Sequence, residues 1–348
     1  MDAKITKLRL NRMLSYDWLK IVGTAAALIL VWVLIFTMTA TSITSAQQFG
    51  VCNYTGNATL SSSFSKSYVN AYDNKVFSGE VFETKTTDLT SSGISAGEIL
   101  QARMATEECD VMFVSQQASP STAYTQEVID PVTGEKKEET YYRNTYLETF
   151  LAGYRFYLHD LSLDGENSFF KQMENYLNKY YVNGYEDEDS LDEKKVEEDF
   201  LARIQRTKDK RYKKQAEINK GLQEAIDRIQ KYRKALVSFY DYLDRGVVTL
   251  TKTTYTAANE NDYSFEGTYS INLCPSTDSK ERMSSLASLV GYYTTYVADE
   301  ETGEEKQTLT AKDMNICLFN LNGDEEEFLY EGLLYVVYLI DSCCVEEA

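Results

Sequence analysis

Residues Ile99 to Ser115 read ILQARMATEECDVMFVS. The stretch opens as a helix and closes as a strand. Ser95 stands ahead of it as a cap, and Glu98 three residues later completes a capping-box pattern. Ile99, Leu100 and Met104 form one apolar stripe, which predicts a helix from Ala96 to about Glu107. Asp110 to Ser115 then forms a short strand with a wholly apolar centre. A strand of that kind belongs in a sheet covered on both faces.

Working outward, Gln48–Thr55 mixes β-branched and aromatic residues and predicts a first strand. Thr59–Tyr72 carries Leu60, Phe64, Tyr68 and Tyr72 four apart, the spacing of a helix with one apolar stripe. Val76–Thr84 alternates around Phe77, Val81 and Phe82 and predicts a second strand. The resulting strand–helix–strand–helix–strand order predicts a parallel sheet and an α/β fold class.

Downstream, Gln116–Glu139 is polar and reads as a loop or small hairpin that turns at Asp130–Glu135. Helices are predicted over Tyr141–Tyr157 and Ser168–Tyr181. Ser190 and Glu193 form a second capping-box pattern, ahead of a helix holding Val196, Phe200 and Ile204. Lys208, Lys210, Arg211, Lys213 and Lys214 make a basic run. Leu222, Ile226, Ile229, Leu236, Tyr240 and Leu243 follow heptad-like spacing, broken by Arg233. This predicts a helical hairpin packing in a domain of its own, with a free coiled coil as the alternative. Strands are expected at Val247–Tyr255, Gly267–Cys274, Tyr292–Ala298 and Asn315–Leu321, and helices at Ser284–Tyr293 and Glu331–Asp341.

Ile21 to Ala46 contains no charged residue, and its apolar core is Ile21–Met38. That suffices for a helix across a hydrocarbon layer about 30 Å thick. Lys4, Lys7, Arg9, Arg12 and Lys20 precede it, and the next basic residue is Lys66. The positive-inside bias puts the N-terminus in the cytoplasm and the rest outside. A signal peptide ending at the small residues Thr44-Ser45-Ala46 is the competing reading, but the apolar run is longer than the usual 7–15 residues. The chain divides accordingly: 1–20 a cytoplasmic basic segment, 21–46 a transmembrane helix, 47–161 an α/β lobe, 162–246 a mainly helical lobe, and 247–348 an α/β segment returning to the lobes.

The chain has 348 residues and a formal charge of −19. Beyond the span stand 30 Lys+Arg against 52 Asp+Glu, a net of −22. Such a surface repels nucleic acid and anionic lipid. Three Pro and 27 Tyr mark a folded, aromatic-rich ectodomain, not a disordered stalk. The six Cys form no C-x-x-C pair and the single His is His159, so a His/Cys metal site is not expected. Cys109, Cys274 and Cys317 sit in or beside apolar runs, which favours buried thiols, with disulfides as the alternative outside the cell.

No phosphate-binding loop, GxGxxG, HExxH or G-x-S-x-G pattern is present, so no enzyme, cofactor or catalytic residue is assigned. His159, beside Leu158 and Leu161, reads as structural. Asp187–Glu193 is acidic but lacks the glycine and the final glutamate of a calcium loop. Asn53-Tyr-Thr and Asn57-Ala-Thr match the N-glycosylation pattern.

Residues 48–161, through Ile99–Ser115 and the later Tyr157-Leu-His-Asp-Leu161 with its following helix, resemble the first lobe of type 2 extracellular solute-binding proteins, the receptors of ABC importers. The whole chain is similar to membrane-anchored bacterial proteins in which this pattern follows a single N-terminal span. The resemblance implies a periplasmic-binding-protein-like α/β ectodomain with a helical insertion at the cell membrane. Its ligand would be a small solute such as a sugar or a peptide, and its partner a membrane protein complex. The cleft would lie at the carboxyl ends of the parallel strands, at Tyr54, Thr55, Ser115 and Gln116. The alternative is a structural or protein-interaction ectodomain that has lost its ligand. Its partner surface would be the basic helix at Lys208–Lys214 or the Leu222–Leu243 heptad.

Overall fold

The computed structural model describes residues 7–39, 47–54, 71, 73–79, 81–89, 95–131, 134–256, 263–275, 293–298, 305–310, 314–321 and 328–343. The chain divides into two compact units, Met1–Ser42 and Ile43–Ala348. The first is a single helix, α1 (Lys7–Thr39). Its stretch Trp18–Thr37 is long and apolar enough to cross a membrane, with mean hydropathy 2.4 and no part buried.

The second unit is built on a six-stranded mixed sheet, with order β2-β1-β3-β10-β7-β6. Its strands are β1 (Gln48–Tyr54), β2 (Glu83–Asp88), β3 (Val111–Ser115), β6 (Thr249–Tyr255), β7 (Phe265–Asn272) and β10 (Met314–Leu318). β1 pairs in parallel with both β2 and β3, so the expected parallel sheet is present in this half. β10, β7 and β6 add antiparallel neighbours. Two hairpins stand apart from the sheet: β4 (Ala123–Ile129) with β5 (Lys136–Tyr142), and β8 (Tyr293–Ala298) with β9 (Glu305–Thr310).

Side chains on a strand point alternately to opposite faces, and both faces of this sheet are covered. Phe49, Val51, Val111, Phe113, Ile316 and Leu318 face one core. Cys52, Met112, Val114 and Cys317 face the other. This is why Val111–Val114 carries no polar alternation. The second core is closed by α2 (Ala96–Ala105) and α3 (Tyr146–Tyr154). The first is closed by α4 (Phe169–Asn178), α5 (Glu193–Thr207), α6 (Gln215–Asp244) and α7 (Glu331–Cys343). Each large apolar side chain buried here contributes about 1.5–3 kcal/mol.

The helices of residues 169–244 therefore share one continuous core with β1, β3 and β10. They form a layer on the sheet, where a lobe of their own was expected. The apolar spacing of α6 explains the difference. Ala225, Ile226, Ile229, Tyr232, Ala235, Leu236 and Phe239 are all buried, a stripe wide enough to face both the sheet side and the neighbouring helices. The heptad is spent inside the unit and leaves no free coiled-coil surface. The basic run is likewise not a helix. Lys208 ends α5 in a left-handed conformation (φ 52°), and Arg211 folds back to hold Asp209 in a turn.

Two details fix the approach of β1 to β3. A Cβ on Gly50 would lie 2.0 Å from the carbonyl oxygen of Glu108, so only glycine lets these segments pass so closely. The Gly50 N–H also donates to the Asp110 carboxylate at 2.6 Å. The second strand lies seven residues later than predicted. Phe77 and Val81 are core residues carried on turns, and the strand itself is the polar segment ETKTTD. Of the predicted helices at 59–72 and 284–293 only Ala71, helical and buried, and Tyr293, the first residue of β8, are described.

Candidate functional site

The carboxyl ends of β1 and β3 do meet. Tyr54 pairs in register with Val114, one residue before Ser115. The residues expected to line a cleft there are already engaged. Ser115 is fully buried, and its Oγ accepts from the Gln117 N–H at 3.0 Å. Gln116 Oε1 accepts from Asn315 Nδ2 at 3.3 Å. Asn315 Oδ1 accepts from Thr251 Oγ1 at 2.7 Å and from Ser270 Oγ at 3.2 Å. The Tyr54 ring meets Tyr146 edge-on at 6.2 Å. Thr55 lies outside the described residues. Side chains from four neighbouring segments of the sheet are thus tied in a partly buried polar knot.

Neighbouring polar groups are buried as well. Asn53 is buried and donates to Asp88 at 3.3 Å, so its glycosylation pattern is folded away. His159 is buried against Phe169, 4.8 Å between centroids, and burial lowers it to about 4. It is a structural histidine. Cys52, Cys109, Cys274 and Cys317 are buried free thiols. Glu331 is buried and accepts from Tyr232 Oη (2.8 Å) and from the Ser78 N–H (3.0 Å). Burial raises its pKa, opposed by those hydrogen bonds and by the charge of Arg228. Among the described residues no cluster of three or more His, Cys, Asp or Glu could hold a metal.

Among the described residues, two recesses stand out that open to solvent. One, about 250 Å³, lies at the base of the β4–β5 hairpin between Thr122, Tyr124, Arg143, Asn144 and Tyr255. Tyr54, Ser115 and Gln116 are not among its lining. The other, about 280 Å³, lies among α4, α5 and α6. Its apolar wall is Val196, Phe200, Ala225 and Ile229, with the rings of Tyr176 and Tyr180. Among the described residues its charged groups are Lys179, Arg203, Arg206, Arg228 and Asp199.

These cations come from three elements. Lys179 caps the end of α4 and lies over the Tyr176 ring. Arg203 and Arg206 stand three apart on α5, hence on one face. Arg228 sits in the apolar stripe of α6 at 5% exposure. The guanidinium groups of Arg203 and Arg228 both lie over the Phe328 ring, at 5.6 and 5.3 Å. Stacking fixes the plane of each fork of donors. Asp199 accepts from Lys195 at 2.9 Å. Sequence reading missed this site. The available signal was Arg228, a charge inside the Ala225–Ile229 apolar stripe.

Compared with known proteins, the chain matches no family model, no curated protein and no solved structure.

Proposed function

We propose that the chain is a single-pass, membrane-anchored extracytoplasmic binding module that holds a small solute without turning it over. The observation that carries this reading is the solvent-open recess among α4, α5 and α6, with converging side chains from three helices. A preformed concavity with a few placed polar groups is the usual form of a small-ligand site. The span Trp18–Thr37 supports the anchor, and the basic residues before it support an external C-terminal unit. The parallel β2-β1-β3 strands, with α2 leading into β3, support the likeness to the first lobe of type 2 solute-binding proteins.

The test joins topology to binding. Protease added to intact cells should remove the bulk of the chain and leave a short membrane fragment. The purified full chain should gain thermal stability with at least one member of a panel of sugars, short peptides and small organic acids. Full-length, protease-resistant protein in the cytosol, or no response to any of the panel, sinks the reading.

The β4–β5 hairpin favours a second reading, a protein-interaction ectodomain. Its residues are exposed on both faces, including Tyr124, Ile129, Tyr141 and Tyr142. Shortening it at the Asp130–Glu135 turn should abolish assembly into a larger membrane complex on native gels while leaving solute binding intact. Unchanged assembly would remove this reading.

A further inference from the structure

We propose that Cys52 and Cys109 are a modification site, a thiol pair that is oxidised to a disulfide when the chain folds outside the cell. The proposal rests on the extracytoplasmic placement read above, because disulfides persist in oxidising compartments and are rare in the cytosol.

The argument starts at Gly50. A Cβ there would run into the Glu108 carbonyl and lie 3.1 Å from the Cys109 Cα. The chain leaving α2 therefore crosses β1 on the face from which a Gly50 side chain would project. Residues two apart on a strand share a face, so Cys52 projects on that side too. Cys52 and Cys109 accordingly pack in one core, with Leu100, Met104 and Met112. Their side chains are hydrogen-bonded to each other. The crossing is pinned from both sides: the Asp110 N–H donates to the Gly50 carbonyl at 2.9 Å, and the Gly50 N–H donates to the Asp110 carboxylate at 2.6 Å.

Two other described cysteines do not compete for Cys52. Met112 pairs in register with Cys52 on one side of β3 and with Cys317 on the other. Two strand spacings, about 9.5 Å, exceed the Cα separation of about 7 Å beyond which a disulfide cannot close. Cys274 belongs to the core on the other face of the sheet.

Burial sets the order of events. Cys52 is 1% exposed and Cys109 2%. The contact with Cys52 and burial together push the Cys109 thiol far above its usual range, so in the folded chain it is no thiolate. Exchange needs a thiolate, and the bond therefore forms before this core closes. The oxidant is a small-molecule or protein disulfide. The thiolate of one cysteine attacks it, forms a mixed disulfide and releases one thiol of the oxidant. The thiolate of the second cysteine then attacks the mixed disulfide, the Sγ–Sγ bond forms and the other oxidant thiol leaves. The pair loses two electrons and two protons, and the oxidant takes up both as two thiols. The product closes a loop that carries β2 and α2, which restricts the unfolded chain.

The experiment uses the full chain extracted from membranes in non-ionic detergent. Free thiols are blocked with iodoacetamide in denaturant after an acid quench, and the digested peptides are weighed. The peptides holding Cys52 and Cys109 should be joined, should separate on treatment with dithiothreitol, and should carry no blocking group, while Cys317 is blocked. Dithiothreitol should also lower the thermal midpoint by about 5 °C, and should leave the double variant Cys52→Ala, Cys109→Ala unshifted. The wild-type peptide masses decide the matter even if that variant fails to fold. Cys52 and Cys109 both blocked before reduction, in a chain that external protease removes, would overturn the disulfide and leave the placement standing. A chain that external protease does not reach would overturn the placement. Refolding in a glutathione redox buffer then decides the pairing: a joined Cys52–Cys109 peptide bears it out, and its absence overturns it.

Discussion

The ends of β1 and β3 and the recess among α4, α5 and α6 are both polar places in an apolar unit, and they are built on opposite plans. At the strand ends each polar side chain finds its partner inside the chain: Gln116 with Asn315, and Asn315 with Thr251 and Ser270. At the recess, Lys179, Arg203, Arg206, Arg228 and Asp199 line a hollow that stays open to solvent. A network whose members satisfy one another rigidifies a fold. The recess is instead a concavity open to solvent, whose polar groups stand on three helices and not at strand ends.

The sharpest way to break this comparison is Asn315→Ala. It would strip an acceptor shared by Thr251 and Ser270 and the donor to Gln116; Asn315 and Ser270 are fully buried, while Thr251 and Gln116 are half-buried. The expected loss is about 3 kcal/mol, since buried groups left without partners each cost about 1–3 kcal/mol. Arg206→Gln, exposed at the rim of the recess, should change stability by no more than about 0.5 kcal/mol. Urea unfolding of the two variants measures the contrast. A loss below about 1 kcal/mol for Asn315→Ala would mean that the strand ends are not held by this knot.

A smaller effect comes from titration on the sheet side. His159 is lowered by burial from 6.5 to about 4, so as pH falls the unfolded chain takes up its proton first. Its contribution to stability is full above pH 6.5 and is lost as pH falls towards 4. The wild type should lose about 2 kcal/mol from this group between about pH 7 and pH 5. His159→Leu should remove that acid slope, whatever it does to the plateau. Glu331 works in the opposite sense. Its acid form is favoured by burial, so its contribution is lost as pH rises through its raised value. Glu331→Gln keeps the acceptor for Tyr232 and should flatten that limb. An unaltered acid slope in His159→Leu would show that another group carries it.

Much of the fold could be read from the sequence where burial alone decides the residue type. β1, β3, β6, β7 and β10 lie close to where their apolar and β-branched runs put them. So do α4 and α7, whose stripes are buried against the sheet. β2 was misplaced because it is an edge strand of Glu, Lys, Thr and Asp, half-exposed along its length. Nothing apolar marks such a strand, while Phe77 and Val81 nearby imitate one from within turns. Ser95 likewise precedes α2 without a side-chain capping bond, whereas Thr145 and Glu148 form a true capping box that the run into β5 concealed. The candidate site was less legible for a different reason. Its cations lie at 179, 203, 206 and 228, and only the packing of three helices joins them.

The last and smallest effect concerns the turn between α5 and α6, where the basic run lies. Lys214 is the residue that caps α6. An ammonium has no acceptor to offer the free N–H groups of a helix's first turn, and its charge faces the positive end of the helix dipole. Glu217 already does part of that work, since its carboxylate accepts from the Lys213 and Lys214 N–H groups at 3.0 and 2.9 Å. Lys214→Ser would supply the missing hydroxyl and complete a Ser-x-x-Glu capping box with Glu217. Stability should rise by about 0.5–1 kcal/mol, visible as a small upward shift in thermal midpoint. A fall in stability would show that the Lys214–Glu217 ion pair, at 3.9 Å, outweighs the cap.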